Sequence, residues 1–224
     1  MALLQPVAVG KSPRYREAAY IAIKDAILSG RLDPHLPLVE EQLAAMLAIS
    51  RTPVREALAI LEHEALIGSR GGRGLYVAAV TREQFVSMFI ANETVEPYLV
   101  RRAALLITAD QIAVLERMII EARAAVGRGD FPGFLRASRG FHGGVGEAAG
   151  NPPLASFVIR NEERTDMYLL SADKAVDRAT IEVSNDEHAA ILGAIAARDP
   201  ESAARLAVYH AQSLRDRLGD LFGS

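Results

Sequence analysis

No cysteine and no tryptophan occur among the 224 residues. Without cysteine there is no disulfide framework and no thiolate zinc site, so histidines and carboxylates are the candidate metal ligands. The same absence suits a reducing cytosol, and a cytoplasmic protein is expected. No run of about 18 uncharged apolar residues appears, so no helical membrane span and no membrane partner are expected. Residues 1–10 lack the basic start and long hydrophobic run of a signal peptide and read as a loose arm. Aromatic residues make up only 6% of the chain. Positive charge is scarce as well: the net charge is −3, which excludes the broad basic surface of a generic nucleic-acid binder. From Gly10 to Tyr76, nine basic residues stand against eight acidic ones. What cations there are gather at Arg51 and Arg55, and again at Arg70 and Arg73, which favours local contacts over a charged stripe.

Hydrophobic residues make up 50% of the sequence, with alanine and leucine abundant, and 224 residues allow one large or two modest domains built mainly from helices. The most informative stretch is Ser50-Arg51-Thr52-Pro53-Val54-Arg55-Glu56-Ala57-Leu58. Ser50 and Thr52 are N-cap candidates, and Pro53 suits a first turn, where its missing N–H has no partner to lose. Arg51 and Arg55 are four residues apart and share a helix face, while Ala57, Leu58 and Leu61 turn to the core. A helix start carrying two guanidinium forks and a hydroxyl can enter a major groove, where arginine grips guanine edges or phosphates.

The surroundings agree with that reading. Ala19, Ile23, Ala26 and Ile27 have helical spacing within a helix over 15–29 that Gly30 ends. Residues 32–37 form a turn-rich connector, and Glu40 to Leu47 forms a second helix. The third runs from about Arg51 to about Ala65. Then Leu66 to Val77, broken by Gly71-Gly72-Arg73-Gly74, reads as a β-hairpin. Any three-helix domain can carry arginine at a helix start, and one glycine turn marks only a hairpin. Together, in this order, they spell a winged helix-turn-helix.

Thr81-Arg82-Glu83-Gln84 has the form of a capping box, so the boundary between domains is expected at 78–81, giving domains 1–79 and 80–224. The second domain reads as an antiparallel bundle of about six helices: 84–106, with Pro97 inside it, then 109–126, 131–149, 154–170, 178–197 and 200–221. His142, His188 and His210 fall on three of these helices, each beside apolar residues. Three imidazoles in one bundle core can ligate a divalent metal; equally, they can be three unrelated histidines. His35 and His63 read as ordinary surface residues. The helix bearing His142 also contains Gly140, Gly143, Gly144 and Gly146, each costing about 1 kcal/mol against alanine. They leave room either for a bulky ligand, the favoured reading, or for a close neighbouring helix.

Residues 15–79 resemble the DNA-binding domain of the GntR family of bacterial transcription regulators. The carriers are Ala26 to Leu32, Glu40 with Leu43-Ala44, the SRTPVREAL run, Leu61-Glu62 and Gly74. His35 departs from the family's usual glycine in the connector. The resemblance implies that Arg51, Thr52 and Arg55 contact double-stranded operator DNA, flanked by the wing residues Arg70, Gly72 and Arg73, with Gly72 entering the minor groove. Residues 84–218 resemble the effector domain (FCD) of the family's FadR-type branch, through Phe141-His142, Gly150-Asn151-Pro152, Glu187-His188, Ile191-Leu192, Ala194-Ile195, Asp199, Ala203-Ala204 and His210.

That second resemblance implies a metal held by His142, His188 and His210 with an aspartate four residues before the first, a position occupied here by Ser138. Imidazole-friendly metals such as zinc or nickel are then expected. It also implies an effector-binding arginine four residues before Glu96, where Asn92 stands instead. Ser138 and Asn92 are therefore the candidate effector-pocket residues. The expected effector is an organic acid or related metabolite, larger or less acidic than a simple di- or tricarboxylate. The expected function is a ligand-responsive homodimeric regulator, a repressor released from its operator, and not an enzyme. The rival readings are a metal-dependent hydrolase built on the three histidines and a regulator whose bundle only dimerises.

Overall fold

A computed structural model describes residues 12–172, 175–219 and 221. The expected arm at 1–10 lies outside the described residues. The chain divides into two compact units between Ala78 and Ala79.

The first unit runs α1 (Ser12–Leu28), α2 (Glu40–Leu47), α3 (Arg51–His63), β1 (Ile67–Ser69) and β2 (Leu75–Val77). Gly30, at φ 68°, lets the chain leave α1 through the Arg31 N–H to Ala26 carbonyl bond of 2.9 Å. The core is built from Ala19, Ile23 and Ile27 of α1, Leu43 and Ala44 of α2, and Val54, Ala57, Leu58 and Leu61 of α3. Strands β1 and β2 pair antiparallel, Gly68 opposite Tyr76. The turn between them needs positive φ at Gly71, Gly72 and Gly74, where a β-carbon would strain the backbone. This is the winged helix-turn-helix expected from the pattern.

The second unit contains α4 (Arg82–Leu106), α5 (Ala109–Arg128), α6 (Phe131–Ala148), α7 (Pro152–Ser171), α8 (Arg178–Ala196) and α9 (Pro200–Leu218). Each start is fixed by a side chain that accepts an orphan N–H. Thr81 and Thr108 form full capping boxes with Gln84 and Gln111, while Asp130, Asn151, Asp177 and Asp199 cap the others. Helix α7 begins at Pro152 rather than at residue 154, because Asn151 accepts from the Leu154 N–H and Pro152 takes the first helical position. Helix α4 packs against α6, α7, α8 and α9. Between them lies a core of Leu99, Ala103, Leu115, Phe141, Ile191 and Ile195.

The glycines of α6 serve helix packing, which corrects the ligand-space reading. A β-carbon on Gly146 would lie 2.7 Å from the β-carbon of Ala155 and 3.0 Å from its α-carbon; one on Gly144 would lie 2.7 Å from Leu115. Gly140 faces Met118, and Gly143 faces Ile159 at 3.4 Å. All four neighbours belong to α5 or α7, so the glycines let those helices approach. Gly146→Ala should destabilise the protein by about 1–3 kcal/mol in chemical denaturation, because backbone must move. Gly143→Ala, at ordinary contact distance, should be neutral or stabilising by up to about 1 kcal/mol. Equal destabilisation by both would contradict the close-approach account.

Candidate functional site

Ser50 takes the N-cap position of α3 in extended backbone, although its hydroxyl makes no capping bond. Pro53, Val54, Ala57, Leu58 and Leu61 are buried beneath the helix, so its first turn is held rigidly while Arg51, Thr52 and Arg55 stay exposed. Arg70, Gly72 and Arg73 are exposed on the wing, Arg70 also donating to the Pro34 carbonyl at 3.2 Å. Glu40, at the start of α2, was not read from the sequence as a member of this face. Its carboxylate accepts from Arg55 Nε at 2.9 Å and Nη2 at 2.8 Å, and lies 3.6 Å from Arg51. The forked bond from Arg55, then the charge of Arg55, hold its carboxyl below the usual carboxylate range. Both arginines are thus pre-aimed by one carboxylate that a competing anion can replace.

His142 of α6, His188 of α8 and His210 of α9 do come together. All three are buried, with His188 Nε2 3.1 Å from both His142 Nε2 and His210 Nε2. Two carboxylates stand outside them: Glu96 of α4 lies 3.0 Å from His142 Nδ1, and Glu187 of α8 lies 2.6 Å from His210 Nδ1. A carboxylate at Nδ1 selects the tautomer whose Nε2 lone pair points inward. Burial opposes a charge on His142, but the carboxylates of Glu96 and Glu162 outweigh it and raise its pKa to about 9. Burial, then the neighbouring His210 and His142, hold His188 well below its ordinary value. Burial alone would raise Glu96; the charge on His142 outweighs that and lowers it.

The donor set fits a divalent metal. Two nitrogens bound to zinc at tetrahedral angles stand about 3.3 Å apart, close to the spacings here. Glu187, a carrier of the FCD resemblance, and Glu96 were not read from the sequence as partners of the histidines, because each reaches its histidine from another helix.

Beside the histidines, a cavity of about 40 Å³ opens between α4, α6, α7, α8 and α9. Ser138 is on its wall, as are Glu162 and Asp166 of α7. Asn92 is not: it is buried one layer behind, donating to Glu162 at 2.5 Å and accepting from Asn161 at 2.8 Å. Arg139 hydrogen-bonds Asp166. Burial raises the Glu162 carboxyl, and raises Asp166 well above its ordinary value. His35 and His63 are exposed on the first unit.

A winged helix-turn-helix carried in one chain with an all-helical bundle that encloses a histidine centre and a cavity defines a ligand-responsive DNA-binding regulator. The bacterial regulatory proteins of the gntR family match residues 15–77, and the FCD domain matches residues 87–213. The chain belongs to this family. It is 28% identical over 199 residues to the HTH-type transcriptional repressor RspR of Escherichia coli K12, covering 88% of this chain and 86% of that one. It is 32% identical over 187 residues to the probable D-xylose utilization operon transcriptional repressor of Paenarthrobacter nicotinovorans, covering 82% and 80%. The solved E. coli McbR/YncC shares the fold, with a TM-score of 0.77 at 21% identity over 92% of this chain and 95% of that one. No helix among the described residues is long and apolar enough to cross a membrane.

Arg139 is the only counter-charge hydrogen-bonded to Asp166 among the described residues. Arg139→Ala should therefore cost about 3–5 kcal/mol near neutral pH, leaving a buried charge unpaired. A carboxyl with a raised folded-state pKa binds more protons folded than unfolded. The variant's deficit should shrink as pH falls through that raised value. Denaturant melts across pH check this; a deficit that stays constant would contradict it.

Proposed function

We propose that this protein is a transcriptional repressor that two subunits carry to a pseudo-palindromic operator, and that a small molecule bound in the helical bundle releases it. The observation that carries this is the exposed start of α3, with Arg51, Thr52 and Arg55 on one rigidly supported face, in a chain of the gntR family. Arg51 and Arg55 exchange Glu40 for guanine edges or phosphates, and Thr52 adds a hydroxyl contact. Arg70, Gly72 and Arg73 lie on the wing that would follow the adjacent groove. The wing turn and α3 belong to one unit, so each subunit reads one half-site. The name of RspR, a repressor, supports the sign of regulation.

We further propose that His142, His188 and His210 hold a divalent metal, for which zinc and nickel are the first probes. Bound there, the metal would act as a Lewis acid offering open positions to an effector or water. Glu96 and Glu187 orient two of the imidazoles, and His188 takes its place between them. Effector binding changes operator affinity by a coupling free energy, commonly about 1–3 kcal/mol. The hydrolase reading has no support: the relatives are regulators, and the carboxylates nearest the imidazoles are engaged in holding them. A bundle that only dimerises is disfavoured by the cavity, whose wall carries polar groups that a mere packing interface would not need.

Arg51→Ala and Arg55→Ala should each weaken operator binding by about 1–3 kcal/mol or more while leaving the fold intact. A gel shift with genomic operator fragments at moderate salt checks this, and unchanged binding would refute the assignment. Titrated with zinc after chelator treatment, the protein should gain thermal stability, and His188→Ala should abolish the gain. No uptake of zinc or nickel by the unaltered protein would remove the metal from this account.

A further inference from the structure

Two carboxylates hold imidazoles at the histidine centre, but the two are not themselves held alike. Glu96 has one hydrogen-bond partner among the described residues, His142. Glu187 has three. Its Oε2 lies 2.6 Å from His210 Nδ1 and accepts from Arg217 Nη2 at 3.0 Å, while its Oε1 accepts from the Ser213 hydroxyl at 2.9 Å. One helix period explains the set. Positions 210, 213 and 217 are spaced by three and four, so α9 turns all of them to one side, where Glu187 of α8 meets them.

The cluster is enclosed: side-chain exposure is 3% at His210, 9% at Glu187 and 22% at Arg217. A carboxylate so far from water needs its charge answered. Ser213 brings a hydrogen bond without charge, and so does a neutral His210 whose Nε2 faces inward. Arg217 is the one arginine or lysine paired with Glu187 among the described residues. A hydrogen bond between full charges is among the strongest a side chain makes. The arrangement has a visible cost, since Arg217 Nε is buried without a partner among the described residues. Buried donors are nearly always paired, yet here the guanidinium forgoes one bond to set its Nη2 on Glu187. Arg215, in the same last turn of α9, turns to Glu93 of α4 instead, at 3.0 Å.

We infer that Arg217 is a positioning residue of the metal centre: it fixes the carboxylate of Glu187, which in turn fixes the ring of His210 with Nε2 toward the site. This rests on reading the three histidines as metal ligands. Without the guanidinium, Glu187 keeps no full charge beside it and swings toward water. The His210 ring then loses the bond that sets its tautomer and its angle. Glu187 also directly precedes His188, so the same anchor holds two neighbouring ligands in register. The last turn of α9 thereby belongs to the centre, although it lies two turns beyond His210.

The test is the zinc affinity of the full chain, measured by competition with a chromophoric chelator. Arg217→Met, which keeps the apolar stem and removes the charge, should weaken zinc binding about tenfold, the low end for an outer-shell partner. Arg217→Lys, which keeps the charge, should recover part of that loss. Arg215→Ala removes an ion pair of similar exposure from the same turn and should leave zinc affinity unchanged. In a His210→Ala background, Arg217→Met should cause no further loss, because its effect runs through that ring. A second readout is spectroscopic: in zinc-loaded protein carrying 15N-histidine, Arg217→Met should shift or broaden the His210 Nδ1–H resonance and spare that of His142. The inference is overturned if Arg217→Met binds zinc as tightly as the unaltered protein, if Arg215→Ala weakens binding equally, or if the full loss persists without His210. Zinc uptake by the unaltered protein separates the two readings. Uptake that does not depend on Arg217 overturns the positioning role alone; no uptake overturns the metal centre and the positioning role with it.

Discussion

Three buried imidazole nitrogens crowd together, and the bundle depends on what sits among them. With Glu96 at His142 and Glu187 at His210, the inward lone pairs converge on His188. Lone pairs at 3.1 Å repel unless a hydrogen or a metal ion lies between them: the N–H of a neutral His188, a proton on His142, or a bound cation. The raised pKa of His142 and the depressed one of His188 are two sides of that demand. The centre draws on α4, α6, α8 and α9, so the positions of four helices are tied to a single electrostatic condition. Hydrophobic burial of Leu99, Phe141 and Ile195 brings these helices together; the histidine centre makes one arrangement of them satisfactory.

The DNA-facing unit solves a different problem with little charge. Nine basic residues against eight acidic ones between Gly10 and Tyr76 offer no general attraction for a polyanion. Contact geometry must then supply the affinity. Glu40 contributes by holding Arg55 in a fork before any DNA arrives. An exposed pair of this kind is held only weakly, because water screens it. In the proposed operator complex, exchanging it for a phosphate or a guanine edge would cost little, and the rotamers it orders would not need ordering again.

Contiguity decided what was legible in the sequence. The recognition helix was readable because its cap, proline, arginines and core positions lie within nine residues and obey one period. The three histidines were readable as residues, yet their carboxylate partners were not, since Glu96 and Glu187 reach across to other helices. The α6 glycines misled for the same reason. Local pattern shows that α6 is intrinsically weak, but only the neighbours, Leu115 and Ala155, reveal that the missing β-carbons admit helices rather than a ligand. Glu162 and Asp166 drew no notice within the helix expected over 154–170, where charged residues are common. In fact 162 and 166 lie one helical turn apart on the face that meets the cavity.

The two departures from the family pattern, Asn92 and Ser138, acquire a joint meaning from this geometry. Read singly, each is a lost charge. Together they separate two tasks. The metal-fitting centre is assembled from imidazoles steadied by Glu96 and Glu187, while Ser138 and Glu162 line the cavity beside it. Asn92 stands at the junction. On α4 it holds Glu162, and one turn further along the same helix Glu96 holds His142. The cavity wall and the histidine centre are thus both tied to one turn of α4, through Asn92 and Glu96.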